Sequence, residues 1–486
     1  MPDYELCVVG AGITGLNAVT VAGSYLGRGD RVLLVDGRDC VGGMWNDTYD
    51  YVRLHQPHGN FTAGATRWTL ERPREHLATK PEVLAHLQHC VDVAGRSVDL
   101  HQRLGWSYAG HSASAGGIEI ELHGPDGAVA SVTSARLVKA FGHQLAPARP
   151  LELSSQDVHS VTPETVESAS PTAPVWIVGG GKTAMDVAHQ LCTTQPGREV
   201  NLIAGNGVFF GRRETFFPTG AKAWWTGTPL NSAFRKVATR FDGTNEDEVA
   251  AWLRDTYCIS PVPDARDFFS AYLSDAECNV IAAGLTAVER DYLDDVRDTN
   301  NGPELLLRSG RTQPVSAGVV IVNCTGSLLR DTHPYEPPAS DGGRTVSIQT
   351  RSCPTGPFTA FAGYYLTHLL FLERLMSTGL YELDLEALAA KDRRVVIYAS
   401  IALAMHNLAC IATAVPPKVV LGCGLDYDTW YPLPRRLLGM ADFMAHLRSE
   451  RRHNRATLDT LAARFGVRCA SLDPEPGATP VQLAAR

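Results

Sequence analysis

Two glycine-rich segments carry the residues with the clearest chemical potential. The first reads GAGITG and contains Gly10, Gly12, Ile13, Thr14 and Gly15. A turn of this type uses its first glycine for the tight bend, its second for approach to a pyrophosphate, and its third for close helix packing. Because an apolar strand precedes the turn and a helical pattern follows it, the segment predicts a dinucleotide-binding βαβ unit.

An acidic residue lies where such a unit would bind ribose. Asp36 follows the second apolar strand, Val32 to Val35, and lies 21 positions after Gly15. Its carboxylate can accept hydrogen bonds from a ribose diol, so we expect the sugar bound here to lack a 2′-phosphate. The adjoining Gly37 and Arg38 belong to the same predicted site.

The opening pattern recurs 169 positions later in the chain. The segment GGGKTA contains Gly179, Gly181, Lys182, Thr183 and Ala184, again behind an apolar strand and ahead of a helical pattern. Two such turns in one chain are a far more specific signal than either turn alone. The sequence therefore predicts a second dinucleotide site.

The second copy differs from the first at the ribose-binding position. Gly205 stands where Asp36 stands in the first copy, and Arg212 and Arg213 follow soon after. Loss of the carboxylate and gain of guanidinium groups suit a 2′-phosphate, which arginine can hold bidentately. These residues predict FAD in the first site and NADPH in the second. The alternative left open is that both arginines are solvated loop residues.

Length and composition exclude several classes of protein. The 486 residues exceed what one core usually serves, and 44% hydrophobic with 20% charged residues is ordinary for a soluble enzyme. A net charge of −8 without a basic stripe argues against a nucleic-acid partner. The 11 cysteines form no CxxC pair or zinc-spaced cluster, which predicts reduced thiols, a cytoplasmic location and no metal site. Because Met1 almost directly precedes the first strand, we expect no signal or transit peptide.

One apolar stretch is long enough to span a membrane. It runs from Val395 to Val415 but contains Ser400, His406 and Asn407. A membrane anchor and the buried helix of a large protein give the same pattern. The polar residues favour the buried helix, and we expect no membrane partner.

The predicted fold class is α/β, with two Rossmann-like dinucleotide-binding domains and a helical C-terminal extension. A segment rich in Pro, Ser and Thr, 146–174, predicts the crossing between domains. We expect the first part of an FAD-binding domain at 1–165 and an NADPH-binding domain with a helical insertion at 166–322. The second part of the FAD-binding domain is predicted at 323–440, and a helical tail at 441–486.

Local patterns predict further elements. Helices are expected at Lys80 to Val93, Glu246 to Tyr257 and Phe268 to Leu273. A three-stranded antiparallel insert is expected from the runs Ser97 to Leu100, Ile118 to Leu122 and Ala128 to Val132. Aromatic residues between 209 and 225 are interpreted as a satellite core in preference to a cavity wall.

Two strand ends complete the predicted flavin site. A strand from Arg136 to Phe141 stops at Gly142, and a last strand from Phe358 to Ala362 is expected to open a helix from Tyr364 to Met376. The positive end of that helix would face the flavin edge that becomes anionic on reduction. The candidate residues at this helix start are Gly363, Tyr364, Tyr365 and Thr367.

The order of these motifs resembles the class B flavoprotein monooxygenases, which comprise the flavin-containing and the Baeyer–Villiger monooxygenases. The resemblance rests on four motifs: the turns at Gly10 to Gly15 and Gly179 to Ala184, the GGMW at Gly42 to Trp45, and the CTG at Cys324 to Gly326 in the family's ATG position. The resemblance covers about residues 4 to 380. It adds these cofactor-binding candidates: Gly43, Met44, Trp45, Thr325 and Gly326.

Neighbouring flavoprotein groups match less well. Flavin disulfide reductases carry a redox cysteine pair shortly after the Gly-Gly, where Met44 and Trp45 stand in this chain. The family fingerprint between the two turns is represented only by Leu153, Ser155 and His159, without its glycine or its closing aromatic residue. The choice between monooxygenase subclasses therefore stays open.

The resemblance implies a reaction in which NADPH reduces FAD and O2 adds to form a flavin C4a-hydroperoxide. That species would transfer one oxygen atom to a small organic substrate, with nitrogen or sulfur favoured and N-hydroxylation included. Baeyer–Villiger oxygenation, an NADPH-dependent flavin reductase or oxidase, and a redox-sensing or scaffold flavoprotein are the alternatives. Substrate identity is left open, as is a homo-oligomer.

Catalytic candidates lie on a loop after the GGMW motif. Gln56 takes the place of an Asn that contacts flavin and nicotinamide in flavin-containing monooxygenases, and Arg53 accompanies it in the predicted oxygen pocket. His55, between them, is a predicted cofactor contact.

Overall fold

The structure is a computed structural model, and it describes residues 2–146, 148–326 and 333–472. The strands, in chain order, are β1 Leu6–Val9, β2 Arg31–Asp36, β3 Asp99–Leu104, β4 Ser107–Ser114, β5 Gly117–His123, β6 Val129–Ser134, β7 Leu137–Gly142, β8 His159–Val161, β9 Val175–Val178, β10 Val200–Ile203, β11 Val208–Arg212, β12 Cys258–Ile259, β13 Asp267–Leu273, β14 Leu285–Glu289, β15 Leu293–Thr299, β16 Gly302–Leu307, β17 Thr312–Pro314, β18 Val320–Asn323, β19 Ala339–Ser340, β20 Thr345–Gln349, β21 Tyr381–Leu383 and β22 Cys469–Ser471.

The helices follow the same order along the chain. They are α1 Ile13–Ala22, α2 Lys80–Ala94, α3 Lys182–Thr194, α4 Arg213–Phe216, α5 Lys222–Trp225, α6 Leu230–Arg240, α7 Glu246–Tyr257, α8 Asp275–Gly284, α9 Thr359–Phe371, α10 Leu385–Lys391, α11 Arg393–Ala414, α12 Pro417–Leu421 and α13 Leu433–Phe465. Short 3₁₀ helices include Gly43–Asp47, His58–Asn60 and Tyr427–Trp430.

The first turn belongs to a six-stranded sheet with the order β19-β20-β7-β1-β2-β3. β1 pairs in parallel with both β2 and β7, and only the β19–β20 pair is antiparallel. The residues of β1 are buried on both faces, which explains its unbroken apolar run. Alternate side chains pack in opposite directions: Val8 faces a core shared with α1 and α9, and Val9 faces the antiparallel β4–β6 sheet.

The second turn belongs to a five-stranded parallel sheet with the order β14-β10-β9-β18-β8. Ile177 of β9 packs in the core that includes α3, and Trp176 packs against the β15–β17 sheet. Each half of the molecule is therefore a parallel sheet with helices on one face and three antiparallel strands on the other. The predicted α/β class with two Rossmann-like domains is confirmed.

A third core is formed largely by helices. Residues of α6, α7, α10, α11 and α13 pack together in it. By length and composition α11 could cross a membrane, but 83% of its most apolar 18-residue window is buried inside the protein. This burial agrees with the interpretation of the Val395 to Val415 run as a core helix.

Several predicted elements are confirmed. α2 begins after Thr79, whose backbone N–H donates to the Glu82 carboxylate at 2.8 Å, a capping arrangement that fixes the helix start. α7 has the predicted bounds, and β5 and β6 form two strands of the predicted antiparallel insert. The third strand of the insert is β4, whereas the predicted run Ser97 to Leu100 leads into β3, which pairs in parallel with β2 in the six-stranded sheet. The aromatic residues Phe209 and Phe216 are buried as a satellite core requires, whereas Trp225 is exposed.

Other predicted elements are wrong. Residues Phe268 to Leu273 form most of strand β13 instead of a helix, because they pair with β11. No strand occupies Phe358 to Ala362, since α9 already begins at Thr359. The helical tail predicted from residue 441 starts earlier, because α13 begins at Leu433.

The sheet pairing departs from the predicted domain bounds at one point. β8, which the prediction gives to the first domain, pairs with β18 in the second sheet. β20 pairs with β7 in the first sheet, so that sheet is built from two chain segments. The remaining bounds stay a prediction, and the end of the tail, 473–486, lies outside the described residues.

Candidate functional site

The first glycine turn leaves no room for side chains at two positions. Gly10 has a φ of +108°, and a Cβ built there would lie 2.4 Å from the carbonyl oxygen of Ala140 in β7. A Cβ on Gly15 would lie 1.8 Å from the carbonyl oxygen of Gly10. Helix α1 therefore sits directly on the end of β1, as the GxGxxG pattern predicted.

The N-termini of α1 and α9 converge beside this turn. Neither Gly12, the N-cap of α1, nor Phe358, the N-cap of α9, provides a capping side chain. Thr14 Oγ1 donates to Thr359 Oγ1 at 3.0 Å and so joins the first turns of the two helices. Uncapped helix N-termini offer N–H groups and positive potential, which fit an anionic pyrophosphate.

Close packing keeps the two helices in this position. A Cβ on Gly363 of α9 would lie 2.2 Å from the carbonyl oxygen of Thr14, so the helices can cross here only because this residue is glycine. Gly142, at the end of β7 with a φ of +60°, lies beside the same threonine. The predicted residues Gly142 and Gly363 thus meet the first turn in space.

The other predicted cofactor-binding residues of α9, Tyr364, Tyr365 and Thr367, lie further along the helix than the sequence indicated. Because α9 begins five residues before Tyr364, the prediction that this residue opens the helix is wrong. The Tyr364 hydroxyl donates to the carbonyl oxygen of Val419 at 2.8 Å, and Thr367 Oγ1 donates to that of Gly363 at 2.6 Å. Tyr365 is buried in the core. Thr359, which the sequence analysis missed, occupies the helix start.

Asp36 lies at the end of β2 with its carboxylate beside the first turn. Its two oxygens accept the backbone N–H groups of Ala11 at 2.7 Å and Arg38 at 2.8 Å. Each oxygen keeps a lone pair that a ribose hydroxyl could use. The Arg38 side chain forms an ion pair with Asp47, and Gly37 lies between these residues in the same loop.

The GGMW segment closes over the first turn. The backbone N–H of Gly42 donates to the carbonyl oxygen of Ala11 at 3.0 Å, and a Cβ on Gly43 would lie 2.8 Å from Cα of Gly12. Trp45 is buried against the edge of Phe61, and Met44 packs on the same core. The segment therefore contacts the turn that it was predicted to accompany.

The second glycine turn is more open than the first. Gly179 has a φ of +126°, and a Cβ there would lie 2.9 Å from the carbonyl oxygen of Cys324 in the neighbouring chain segment. Gly181 is the N-cap of α3, and a Cβ there would meet nothing within 4 Å among the described residues. Lys182 and Thr183 begin α3, and Ala184 is buried beneath the turn.

The CTG motif lies beside the second turn and not the first. Thr325 and Gly326 follow β18, which pairs with β9 immediately before Gly179. Thr325 Oγ1 donates to Asn323 Oδ1 at 2.5 Å. A cofactor-binding role for Thr325 and Gly326 stays a prediction, but this position relates it to the second site.

The two predicted phosphate-binding arginines have different surroundings. Arg213 is 13% exposed; it pairs with Glu277 at 2.8 Å and donates from Nε to the carbonyl oxygen of His55 at 2.9 Å. Arg212 is 46% exposed and pairs with Asp275 at 3.2 Å. Arg213 therefore joins the two halves of the molecule, and only Arg212 of the two is well placed to meet a phosphate from solvent.

A third arginine lies beside the end of β10. Arg290, at the end of β14, donates to the carbonyl oxygens of Gly205 and Asn206. The ring of Tyr292 lies within 3 Å of the Cβ position of Gly205, which explains why that position carries glycine. Sequence reasoning missed Arg290 because it is 85 residues from Gly205 and has no motif.

The predicted catalytic loop lies at the boundary between the two halves. Gln56 is 4% exposed, and its Oε1 has no hydrogen-bond partner among the described residues. Burial, followed by the nearby charges of Lys182 and Arg213, lowers the pKa of His55 to about 3, so its imidazole is neutral at pH 7. Arg53, in contrast, is exposed, and its backbone forms a bridge with Thr79.

A second contact joins the halves near Lys182. The Tyr49 hydroxyl donates to Asp186 Oδ2 at 2.6 Å, and Lys182 forms an ion pair with the same carboxylate. Burial, with the charge of Asp186, raises the pKa of Tyr49 well above its ordinary value. The loop after GGMW is thus attached to the first turn of α3.

Metal ligands are not grouped in the part of the chain that the structure describes. No cluster of three or more His, Cys, Asp or Glu residues there is arranged to hold a metal ion.

The class defined by this fold is that of proteins with two Rossmann-like dinucleotide-binding domains in one chain. The FAD-bound desferrioxamine-pathway cadaverine monooxygenase DfoA from Erwinia amylovora aligns with a TM-score of 0.50 and 13% identity, covering 76% of this chain and 94% of that chain. At this identity the likeness shows the fold alone. It confirms the fold implied by the resemblance noted from the sequence.

Two further structures have lower scores. The ornithine hydroxylase PvdA from Pseudomonas aeruginosa aligns at a TM-score of 0.47 and 14% identity, covering 76% of this chain and 99% of that chain. The complex of OTEMO with FAD and NADP aligns at 0.48 and 14%, covering 81% and 90%. Because both TM-scores are below 0.5, nothing about function is inferred from these two structures. No family model and no curated protein matches the sequence.

Proposed function

We propose that this protein is an FAD- and NADPH-dependent monooxygenase that transfers one atom of O2 to a nitrogen or sulfur atom of a small organic molecule. The observation that carries the proposal is the pair of Rossmann turns, each opening a helix whose N-cap lacks a side chain. Its support from comparison is the fold shared with DfoA, which is described as a cadaverine monooxygenase bound to FAD.

FAD fits the first turn. Uncapped N–H groups of α1 would bind its pyrophosphate, and the free lone pairs of Asp36 would accept the ribose hydroxyls. The start of α9 at Thr359 would place positive potential beside the flavin ring. Bound FAD would supply the oxygen-activating chemistry, with NADPH as the electron donor.

NADPH fits the second turn. The open space at Gly181 permits a pyrophosphate to approach the N-terminus of α3. Arg212 would pair with the 2′-phosphate, in exchange for its present partner Asp275. Gly205, which lacks a carboxylate, would not repel that phosphate.

The loop between the turns would organise the reaction. Gln56 has a buried carboxamide oxygen available to accept a hydrogen bond from a coenzyme or substrate. Neutral His55 adds no charge at this boundary. The contacts of Tyr49 with Asp186 and of Arg213 with His55 join the halves of the protein and would exclude water from the space between them.

Heteroatom oxidation is preferred over ester-forming insertion because the Baeyer–Villiger fingerprint is incomplete. Its remnants lie on the second half: Ser155 contacts Asp298, and His159 begins β8 at the edge of the sheet. Nothing at these positions replaces the missing glycine and aromatic residue.

Oxygen labelling tests the proposal. The purified protein should contain FAD, oxidise NADPH in the presence of amines or sulfides, and place one ¹⁸O atom from labelled O2 in the product. Recovery of all consumed O2 as hydrogen peroxide, with no labelled product from any of these substrates, would instead identify an oxidase. A protein that binds FAD but does not turn over NADPH would identify a non-enzymatic flavoprotein.

A further inference from the structure

Large apolar side chains are exposed together at the start of α13. Trp225 is 84% exposed and Leu438 is 72% exposed. The whole group, called the apolar tip, consists of Trp224, Trp225, Leu421, Leu433, Leu437, Leu438 and Met444. Scattered apolar side chains are normal on a protein surface, but a group of this size marks an interaction site.

Specific contacts hold the parts of the apolar tip together. The guanidinium of Arg435 donates to the carbonyl oxygens of Ala223, Thr226 and Gly227, which fixes the Trp224–Trp225 turn against the first turn of α13. On the other side, Arg436 and Leu421 line one surface cleft of about 360 Å³. The exposed apolar side chains of α5 and α12 therefore flank the first turns of α13.

The same face of α13 changes from apolar to basic along its length. At 100° per residue, Leu433, Leu437 and Met444 lie on one side of the helix. Continuing along that side, the exposed residues are four arginines, called the basic collar: Arg448, Arg451, Arg452 and Arg455. Among the described residues none of these four forms an ion pair.

Nearby carboxylates do not neutralise the collar. Asp442 and Glu450, the acidic residues of this helix segment, both pair with Arg235 of α6. The four arginines of the collar are exposed. This face of α13 therefore presents leucine and methionine at one end and positive charge without ion pairs at the other.

We propose that this face docks the protein on a bilayer that contains anionic lipids. Tryptophan, leucine and methionine of the apolar tip would enter the headgroup region, and the basic collar would contact lipid phosphates. The charge complementarity is local: the four exposed arginines of the collar complement lipid phosphates, while the net charge of −8 lies on the rest of the chain. The attachment is peripheral, since within the described residues the apolar helix long enough to span a membrane is buried.

This proposal departs from the expectation of no membrane partner and does not depend on the proposed reaction. The sequence did not reveal it because helix α13 has no simple amphipathic pattern. Its apolar and basic segments follow each other on one face, and the exposed tryptophans come close to the start of the helix only in the folded protein.

Vesicle sedimentation with the full-length protein tests the proposal. We expect binding to phosphatidylcholine vesicles that contain phosphatidylglycerol, much weaker binding to phosphatidylcholine alone, and loss of binding at high salt. Leu437→Glu with Leu438→Glu should weaken binding at least about tenfold, and so should Arg451→Glu with Arg452→Glu. All four positions are exposed, so the fold should persist, which thermal unfolding would check.

Matched controls separate this face from general effects of charge. Val129→Glu changes an exposed valine, 68% exposed, on the β4–β6 sheet. Arg28→Glu with Arg96→Glu removes the same positive charge elsewhere on the surface. Both control proteins should bind vesicles within about twofold of the unmodified protein.

Three results would overturn the proposal. The first is no binding to either kind of vesicle. The second is binding that the tip and collar variants leave unchanged. The third is a dimer in analytical ultracentrifugation that Leu437→Glu with Leu438→Glu converts to a monomer, without any vesicle binding, which would assign the face to a second copy.

Discussion

The two glycine turns share a backbone shape but differ in what surrounds them. Gly10 and Gly179 both adopt positive φ where a carbonyl of the adjacent strand or its following residue approaches. The third glycine of the first turn, Gly15, packs so closely on the Gly10 carbonyl that no side chain fits there. The equivalent position in the second turn is occupied by a buried alanine, Ala184. Helix α1 is therefore packed more closely on its strand than α3.

Their exposure differs as well. The first turn is covered by α9 and by the GGMW segment, while the second leaves open space at Gly181. A covered turn suits a coenzyme that stays bound through many reaction cycles, and an open turn suits one that must exchange each time. This difference accords with the proposed assignment of FAD to the first turn and NADPH to the second.

The largest effect should come from making the first turn resemble the second. Gly15→Ala places a methyl group 1.8 Å from the carbonyl oxygen of Gly10, so α1 must move. We expect a loss of at least about 3 kcal/mol in the free energy of unfolding, with loss of bound FAD. Denaturant unfolding and flavin content measure this.

The reverse change is the matched control. Ala184→Gly removes a buried methyl group without creating a clash and should cost about 1–2 kcal/mol, with FAD retained. Equal losses in the two variants would show that the turns are packed alike.

The next largest effect concerns the ribose carboxylate. Asp36→Asn removes a charge that now accepts two backbone N–H groups and would accept the FAD ribose. We expect the Kd for FAD to rise about tenfold to a hundredfold. Titration of the protein freed of flavin measures the Kd, with Asp47→Asn, at the partner of Arg38, as a control that should change it little. An unchanged Kd would remove Asp36 from the site.

A smaller effect should separate the two arginines of the second site. Arg212→Ala should raise the KM for NADPH about tenfold and leave the KM for NADH unchanged, because only NADPH carries the 2′-phosphate. Arg213→Ala should instead lower the stability of the protein, since it removes contacts with Glu277 and His55. A selective NADPH defect in Arg213→Ala alone would reverse these roles.

The smallest effect is a pH dependence of the first half. His86, 3% exposed, stacks on Trp68, and burial with nearby positive charge lowers its pKa to about 3. Between pH 6.5 and about 3 the unfolded chain binds a proton that the folded protein does not, so stability falls with acid. Between pH 7.5 and 5.5 this histidine should lower the free energy of unfolding by about 1.4 kcal/mol. In His86→Gln the loss measured by denaturant unfolding should be smaller by that amount; an identical loss would contradict the assignment.

Much of the fold could be predicted from local sequence. Both glycine turns, α2, α7 and two strands of the antiparallel insert follow from spacing and capping signals that act within a few residues. Phe268 to Leu273 could not be assigned correctly, because a short apolar run fits a helix or a strand, and pairing with β11 decides between them. Gly363 misled the assignment of α9, because glycine usually ends regular structure but here permits contact with α1.

The site was predictable only in part. Glycines, Asp36 and the loop around Gln56 carry recognisable spacing. The bond between Thr14 and Thr359 joins residues 345 positions apart, and that between Tyr49 and Asp186 spans 137. Such pairs depend on how the sheets and helices pack, and one sequence alone contains no sign of them.

Replacing Gly181 by valine tests most directly whether the two turns bind different coenzymes. A Cβ there would meet no described atom within 4 Å, so we expect the side chain to obstruct the approach of a pyrophosphate without disturbing the fold. The variant should keep a full complement of FAD, while anaerobic reduction of its flavin should need at least about a hundredfold more NADPH. A variant that loses FAD, or that NADPH reduces as readily as the unmodified protein, would contradict the assignment of NADPH to the second turn.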